Sequence, residues 1–253
     1  MTVMLRAIKL KKSSVLIIML LLIIFLGYYK SVSKRYEEQY ISTLSWVMAN
    51  KLIVIDPGHG GIDPGALGSN GVLEKNIVLE VSMKLADIMR QSGAQVLLTR
   101  ESDHDLSDPE LSNLHEIKVQ DLTRRVELAN QNNADIFLSV HVNSFPDKRE
   151  CGAQTFSQPG SEESKKLAMS IQKEINNFLK NPGRQAKQVD YFANRMTKMP
   201  SVIIEIGFIT NPGEEKLMLD PAYQNKISWS IYAGIARYLV DARPAMKQAM
   251  TGL

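Results

Sequence analysis

Two imidazoles and two carboxylates stand in this chain where side chains of their kinds do chemistry. His59 lies in Asp56-Pro57-Gly58-His59-Gly60-Gly61, directly after the apolar run Leu52 to Ile55. A strand cannot continue through a proline and three glycines, so the chain turns there and presents the imidazole on backbone free of crowding side chains. His141 ends a second apolar run that starts at Ile136, and Glu205 ends a third that starts at Val202. Glu74 comes where Gly71-Val72-Leu73-Glu74-Lys75 leads into a helix-like pattern. Singly, each has an ordinary reading: a turn histidine, a first-turn acid favoured by the helix dipole, a paired strand-end carboxylate. Together they place two imidazoles and two carboxylates on one rim of a sheet, where open α/β folds bind ligands. Two His and one carboxylate, with a fourth position left to water, are the donor set of a catalytic zinc. A further carboxylate suits the general base such a site needs.

At these residues the chain resembles the zinc-dependent N-acetylmuramoyl-L-alanine amidases of the bacterial cell wall. The resemblance rests on Asp56 to Gly61, Glu74, Ser139-Val140-His141-Val142-Asn143 and Glu205-Ile206-Gly207-Phe208-Ile209-Thr210-Asn211. Leu98-Thr99-Arg100 and the stretch from Leu122 through Arg125 to Asn130 match as well, and the whole covers about residues 51–241. Several spaced motifs in order are far more specific than any one of them. The resemblance implies His59, Glu74 and His141 as zinc ligands, Glu205 as catalytic acid/base, peptidoglycan as substrate and an α/β sandwich as fold. Within the family the layout is most similar to members that act on spore cortex in germination. Two other readings share these residues: a different zinc peptidase or deacetylase of the cell wall, and a non-catalytic wall-binding protein of the same fold.

The elements that position these groups alternate along the chain. Lys75–Gln91, Asp121–Gln131, Ser161–Leu179 and Ala222–Val240 carry apolar residues at helical spacing. Inward positions are Val78, Val81, Leu85 and Ile88 in the first helix. They are Leu122, Val126 and Ala129 in the second, Leu167, Ile171, Ile175 and Phe178 in the third, and Ile227, Ile231, Ile235 and Leu239 in the last. Ser161 and Ser164 stand where a cap is needed. Strands are expected at 52–55, 94–99, 135–142, 152–157 and 202–206, with a short edge strand at Tyr191–Asn194. Such alternation argues a single, mostly parallel sheet with helices on both faces. The acidic stretch 101–120 reads as loop and holds His104 and His115, which fall outside every motif.

Three further residues invite a role. Arg100 ends the second strand on the active rim, where it either holds a substrate carboxylate or pairs with Asp103. Asn143 shares a strand face with His141 and is placed to orient a ligand or bridge to substrate. Arg125 reads as the partner of a nearby carboxylate.

Composition sets the frame. With 253 residues, 44% hydrophobic and 23% charged, the chain supports one well-buried domain and is not a disordered composition. The formal charge of +3 owes to Arg6, Lys9, Lys11 and Lys12, so the remainder is near neutral and carries no basic stripe for nucleic acid. Cys151 is the only cysteine, which excludes an intrachain disulfide. The four basic residues precede an uncharged run from Val15 to Tyr29, at the lower edge of what spans a bilayer. No small-residue cleavage site follows it, so residues 1–29 are expected to be an uncleaved signal anchor that places the rest outside the membrane. Residues 30–50 are expected as a stalk, 51–243 as the catalytic domain and 244–253 as a tail.

Overall fold

A computed structural model describes residues 18–19, 21–25, 46–180 and 183–242. Most of the expected anchor and stalk, and all of the tail, lie outside the described residues. The chain divides into Met1–Thr43 and Leu44–Leu253, and the larger unit carries the sheet. Residues 18–19 and 21–25 are helical and exposed, and no helix among the described residues is long and apolar enough to cross a membrane.

Among the described residues, six strands form one mixed sheet. They are β1 Leu52–Pro57, β2 Gln95–Leu98, β3 Ile136–Asn143, β4 Gln154–Ser157, β5 Lys187–Gln188 and β6 Ser201–Phe208, in the spatial order β2-β1-β3-β6-β4-β5. β2, β1, β3 and β6 run parallel, while β4 pairs antiparallel with β6 and parallel with β5. Among the described residues the helices around the sheet are α1 Glu74–Gln91, α2 Leu114–Gln131, α3 Glu162–Leu179, α4 Phe192–Met196, α5 Pro212–Met218 and α6 Pro221–Asp241. Polar caps start four of them: Asn113, Ser161, Asn211 and Asp220 each accept a backbone N–H from the first turn that follows.

The two faces of the sheet differ, and the difference makes the site. On one face Ile53, Ile55, Leu138, Val140, Val202 and Ile204 pack against α1, α3 and α6 in a large apolar core. The opposite face carries Val54 and Phe137 with Val126 and Ala129 of α2 and Ala193 of α4, a much smaller cluster. Further along the same strands that face turns polar. Asp56 pairs with Ser139 across β1 and β3, and His141 pairs with Glu205 across β3 and β6. Side chains two residues apart share a face, so Asp56, Ser139, His141, Ile203 and Glu205 all project toward α2 and α4.

A buried ionic network closes the base of this polar region. Asp56 accepts from Thr99 Oγ1 at 2.7 Å, Ser139 Oγ at 2.6 Å and Arg125 Nη1 at 2.8 Å. Arg125 also reaches Asp121 Oδ2 at 2.9 Å and the carbonyls of Pro57 and His59 at 2.8 and 2.6 Å. Burial alone would raise the pKa of Asp56, but the Arg125 charge and the hydroxyl donors hold it below its ordinary value.

Several expectations need correction. α2 begins at Leu114, so residues 114–120 are helix and not loop. Its inward positions are Ile117, Asp121, Arg125, Val126 and Ala129, and a charged pair at two of them hides the apolar period that a sequence shows. Leu122, expected inward, is exposed. Tyr191–Asn194 is no edge strand: Tyr191 caps the short helix α4, and the edge strand is Lys187–Gln188 instead. Phe178 is exposed in the last turn of α3, before left-handed Lys180.

Replacing Arg125 with Met leaves Asp56 and Asp121 buried without their cation. The expected loss is about 3–5 kcal/mol of unfolding free energy at neutral pH, read by denaturant titration. The pH dependence also changes sign. In the native chain Asp56 has a depressed pKa, so its contribution is present above its ordinary value of 3.8 and is lost as pH falls through the folded value. In Arg125→Met burial acts unopposed by the guanidinium, and acidification narrows the gap between variant and native protein.

Candidate active site

β1 ends where its ladder does: Gly58 N still donates to Val140 O at 3.0 Å, and then the chain turns. His59 takes the left-handed region at φ +62°, which residues with a Cβ rarely enter. The turn is closed by reciprocal hydrogen bonds between Gly60 and Asp63 at 2.9 and 3.0 Å. The Arg125 guanidinium on the His59 carbonyl and the Asp63 carboxylate on its ring hold the residue in this conformation. Asp63 Oδ2 lies 2.8 Å from His59 Nδ1, which leaves Nε2 as the ring atom free for a ligand.

Glu74 opens α1 and is only 3% exposed. Its Oε2 accepts from Ala66 N and its Oε1 from Val142 N, both at 2.8 Å. The same Oε1 lies 3.2 Å from His59 Nε2 and 3.2 Å from His141 Nδ1. The two imidazoles meet edge to face, with ring centroids 4.9 Å apart. One donor atom from each of His59, Glu74 and His141 falls within 4.8 Å of the other two.

Two glycines make this convergence possible. A Cβ on Gly58 would sit 2.3 Å from Cε1 of His141, inside its ring contact. A Cβ on Gly65 would lie 2.7 Å from Glu74 Oε2 and 2.8 Å from Cδ2 of His59, and Gly65 also has φ +68°. The loop therefore passes against all three side chains with bare backbone.

The charges are strongly coupled. Burial would raise the pKa of Glu74, but hydrogen bonds and charge from His141 and His59 hold it well below the carboxylate range. Burial works against a proton on His59, yet hydrogen bonds to Asp63 and Glu74 push its pKa up to about 9. Glu205 behaves oppositely. Burial raises its pKa to about 7, only partly opposed by His141, and its Oε2 is buried with no hydrogen-bond partner among the described residues. A cavity of about 370 Å³ opens in front of these groups, and His59, His141 and Glu205 line it. Lys118 and Leu122 of α2, with Tyr191 and Phe192 at the start of α4, line it as well.

Of the residues singled out in the sequence, His59, Glu74 and His141 converge and Glu205 faces them. Arg100 does not join them. It is 2% exposed beneath the loop, donating to the carbonyls of Pro57, Gly58, Lys75 and Ser102. Asp103 takes Lys75 Nζ and Gly61 N instead, and Arg100 clamps the loop. Asn143 places Oδ1 on Ser144 N, and the register of β3 on β6 shifts between His141 and Asn143. His104 is exposed on its loop beside Ser102, and His115 is exposed in the first turn of α2. Asp63, Lys118 and Tyr191 were not legible as site residues. Asp63 stands four positions after His59, a spacing that could have marked it; Lys118 and Tyr191 arrive only through tertiary packing.

Residues 53–237 match the model of the family described as N-acetylmuramoyl-L-alanine amidase. The chain is 38% identical over 213 residues to the germination-specific N-acetylmuramoyl-L-alanine amidase of Bacillus subtilis, covering 81% of this chain and 89% of that protein. Its fold is similar to the CwlD amidase of Clostridioides difficile, solved in complex with the GerS lipoprotein. The TM-score is 0.73 at 40% identity, over 75% of this chain and 98% of that one. It is similar also to the amidase AmiC2 of Nostoc punctiforme, with TM-score 0.64 at 31% identity over 75% and 97% of the two chains. The chain belongs to the N-acetylmuramoyl-L-alanine amidase family.

Proposed function

We propose that this chain is a zinc-dependent amidase that cleaves the amide between the lactyl group of N-acetylmuramic acid and L-alanine in peptidoglycan. The observation that carries the reading is the convergence of His59 Nε2, Glu74 Oε1 and His141 Nδ1 in front of the buried, unpartnered Oε2 of Glu205. Two imidazoles and one carboxylate fit zinc, and the Asp63 carboxylate on the far nitrogen of His59 is the outer partner a ligating imidazole needs. Zinc in such a donor set supplies a Lewis acid for the amide carbonyl and lowers the pKa of a water from 15.7 to about 7.

The protein's own contribution is proton transfer. Glu205 takes the proton of the water that attacks the carbonyl carbon. It then delivers that proton to the amide nitrogen, because an amine departs readily only once protonated. The carbon–nitrogen bond breaks to give the free lactyl carboxylate and a new amino terminus on the peptide. The likeness to the germination-specific enzyme of Bacillus subtilis supports spore cortex as the form of peptidoglycan attacked. Export and anchoring by residues 1–29, with the catalytic domain at 51–243, are supported by the basic flank and apolar run of the sequence, and such a substrate lies outside the membrane.

Two sets of measurements test this. His59→Ala and His141→Ala in the full chain should each lose stoichiometric zinc by elemental analysis. Gly58→Ala should lower zinc content in a folded protein, because its methyl displaces the His141 ring. Full zinc in both histidine variants sinks the ligand assignment.

Glu205→Gln should keep zinc and melting temperature while the release of L-alanine amino groups from purified peptidoglycan slows by roughly 10²–10⁴-fold. The ascending limb of kcat/KM against pH should belong to this carboxylate. Its pKa of about 7 without metal is drawn down by a nearby cation, so the limb lies below pH 7 and disappears in the Gln variant. A fully active Glu205→Gln protein removes the role.

A further inference from the structure

The cavity holds few hydrogen-bond donors that are free to meet a substrate. Every nitrogen of Arg125 is engaged, on Asp121, Asp56, Pro57 O and His59 O. Ser139 donates to Asp56. Lys118 Nζ lies 3.1 Å from Asp63 Oδ1, at the exposed edge of the cavity. Tyr191 differs from these. It lines the cavity, and its ring lies edge to face on Phe156, with centroids 5.8 Å apart. Its backbone is tied by Tyr191 N to Val189 O at 3.0 Å and by Arg195 N to its own carbonyl at 2.9 Å. Yet its phenol hydroxyl has no hydrogen-bond partner among the described residues.

Hydrolysis of an amide builds negative charge on the carbonyl oxygen, and a preorganised donor aimed at that charge is among the strongest single contributions a site can make. We propose that Tyr191 is a catalytic residue whose phenol O–H donates a hydrogen bond to the scissile carbonyl oxygen as it becomes an oxyanion. The inference rests on the amidase reading above and adds a residue that lines the same cavity as Glu205. The phenol transfers no proton: it remains O–H throughout, and the proton traffic stays with Glu205. Burial and the charge of Glu205 both raise the phenol's pKa, which keeps the donor protonated across the working range. Placing it at the cap of α4 on a packed aromatic fixes the ring direction without a hydrogen bond that would compete for the hydroxyl.

Tyr191→Phe removes the oxygen and keeps the ring on Phe156. In the zinc-loaded full chain acting on soluble peptidoglycan fragments, kcat should fall roughly 10²-fold with KM little changed. Zinc content, melting temperature and the ascending pH limb should stay as in the native protein. Affinity for a phosphinate analogue of the muramoyl–alanine bond, tetrahedral and anionic, should fall in parallel with kcat. An unchanged kcat overturns the assignment. So does a loss of rate that travels with lost zinc or a lower melting temperature, or one seen in Lys118→Met and not in Tyr191→Phe. If the native chain itself releases no L-alanine amino groups, the amidase reading fails and this assignment falls with it.

Discussion

The contact on which the site depends is the ion pair between Asp56 and Arg125, beneath the loop that carries His59. A chain that turns sharply at a strand end leaves carbonyls facing inward with no ladder to accept them, and buried carbonyls need donors. Arg125 meets the carbonyls of Pro57 and His59, while Arg100 meets those of Pro57 and Gly58. Two buried guanidiniums would repel each other and be costly to desolvate alone. Asp56 and Asp121 supply the compensating charge, and Thr99 and Ser139 complete the carboxylate. An apolar core at this position would pack, but it could not hold a backbone in the left-handed region in front of a polar cleft.

That network also explains the asymmetry of the sheet. One face is apolar along its whole length because three helices cover it. The other is covered by α2 and the short α4, and only its lower half is apolar. Above Val54 and Phe137, the same strands present Asp56, Ser139, His141 and Glu205 toward a cavity. Glu205 is thus largely enclosed, with its Oε2 buried. Its elevated pKa follows from this enclosure, and a surface carboxylate at the same strand end would not share it.

The sequence discloses those parts of this arrangement that are local. The apolar runs of β1, β3 and β6, the abrupt Pro-Gly break after Asp56 and the helical period of α1, α3 and α6 are all statements about neighbours in the chain. The convergence of His59, Glu74 and His141 was legible because each stands at an element boundary on one rim. What escaped lies where a polar group replaces an apolar one inside an element. Asp121 and Arg125 take inward positions of α2, so that helix looked seven residues shorter than it is. Arg100 looked like a rim cation because its position at a strand end says nothing about the carbonyls waiting beneath it. Tyr191 showed β-like composition, and only the packing of α4 against α2 and β6 reveals that it ends a loop and starts a helix.

The three converging side chains come from different parts of the fold: the loop after β1, the first residue of α1, and the end of β3. Neither the isolated β1 segment nor the isolated helix contains a chelating pair, and β1 brings its loop to His141 only by pairing with β3. The zinc we propose there would meet its donor set only in the native state, so it would act as a ligand of folding as well as of substrate. At a free ion concentration of about 100 times its dissociation constant, such linkage adds about 2.7 kcal/mol to the folded state. Metal supply would then govern how long the enzyme persists in its compartment, independently of how fast it turns over.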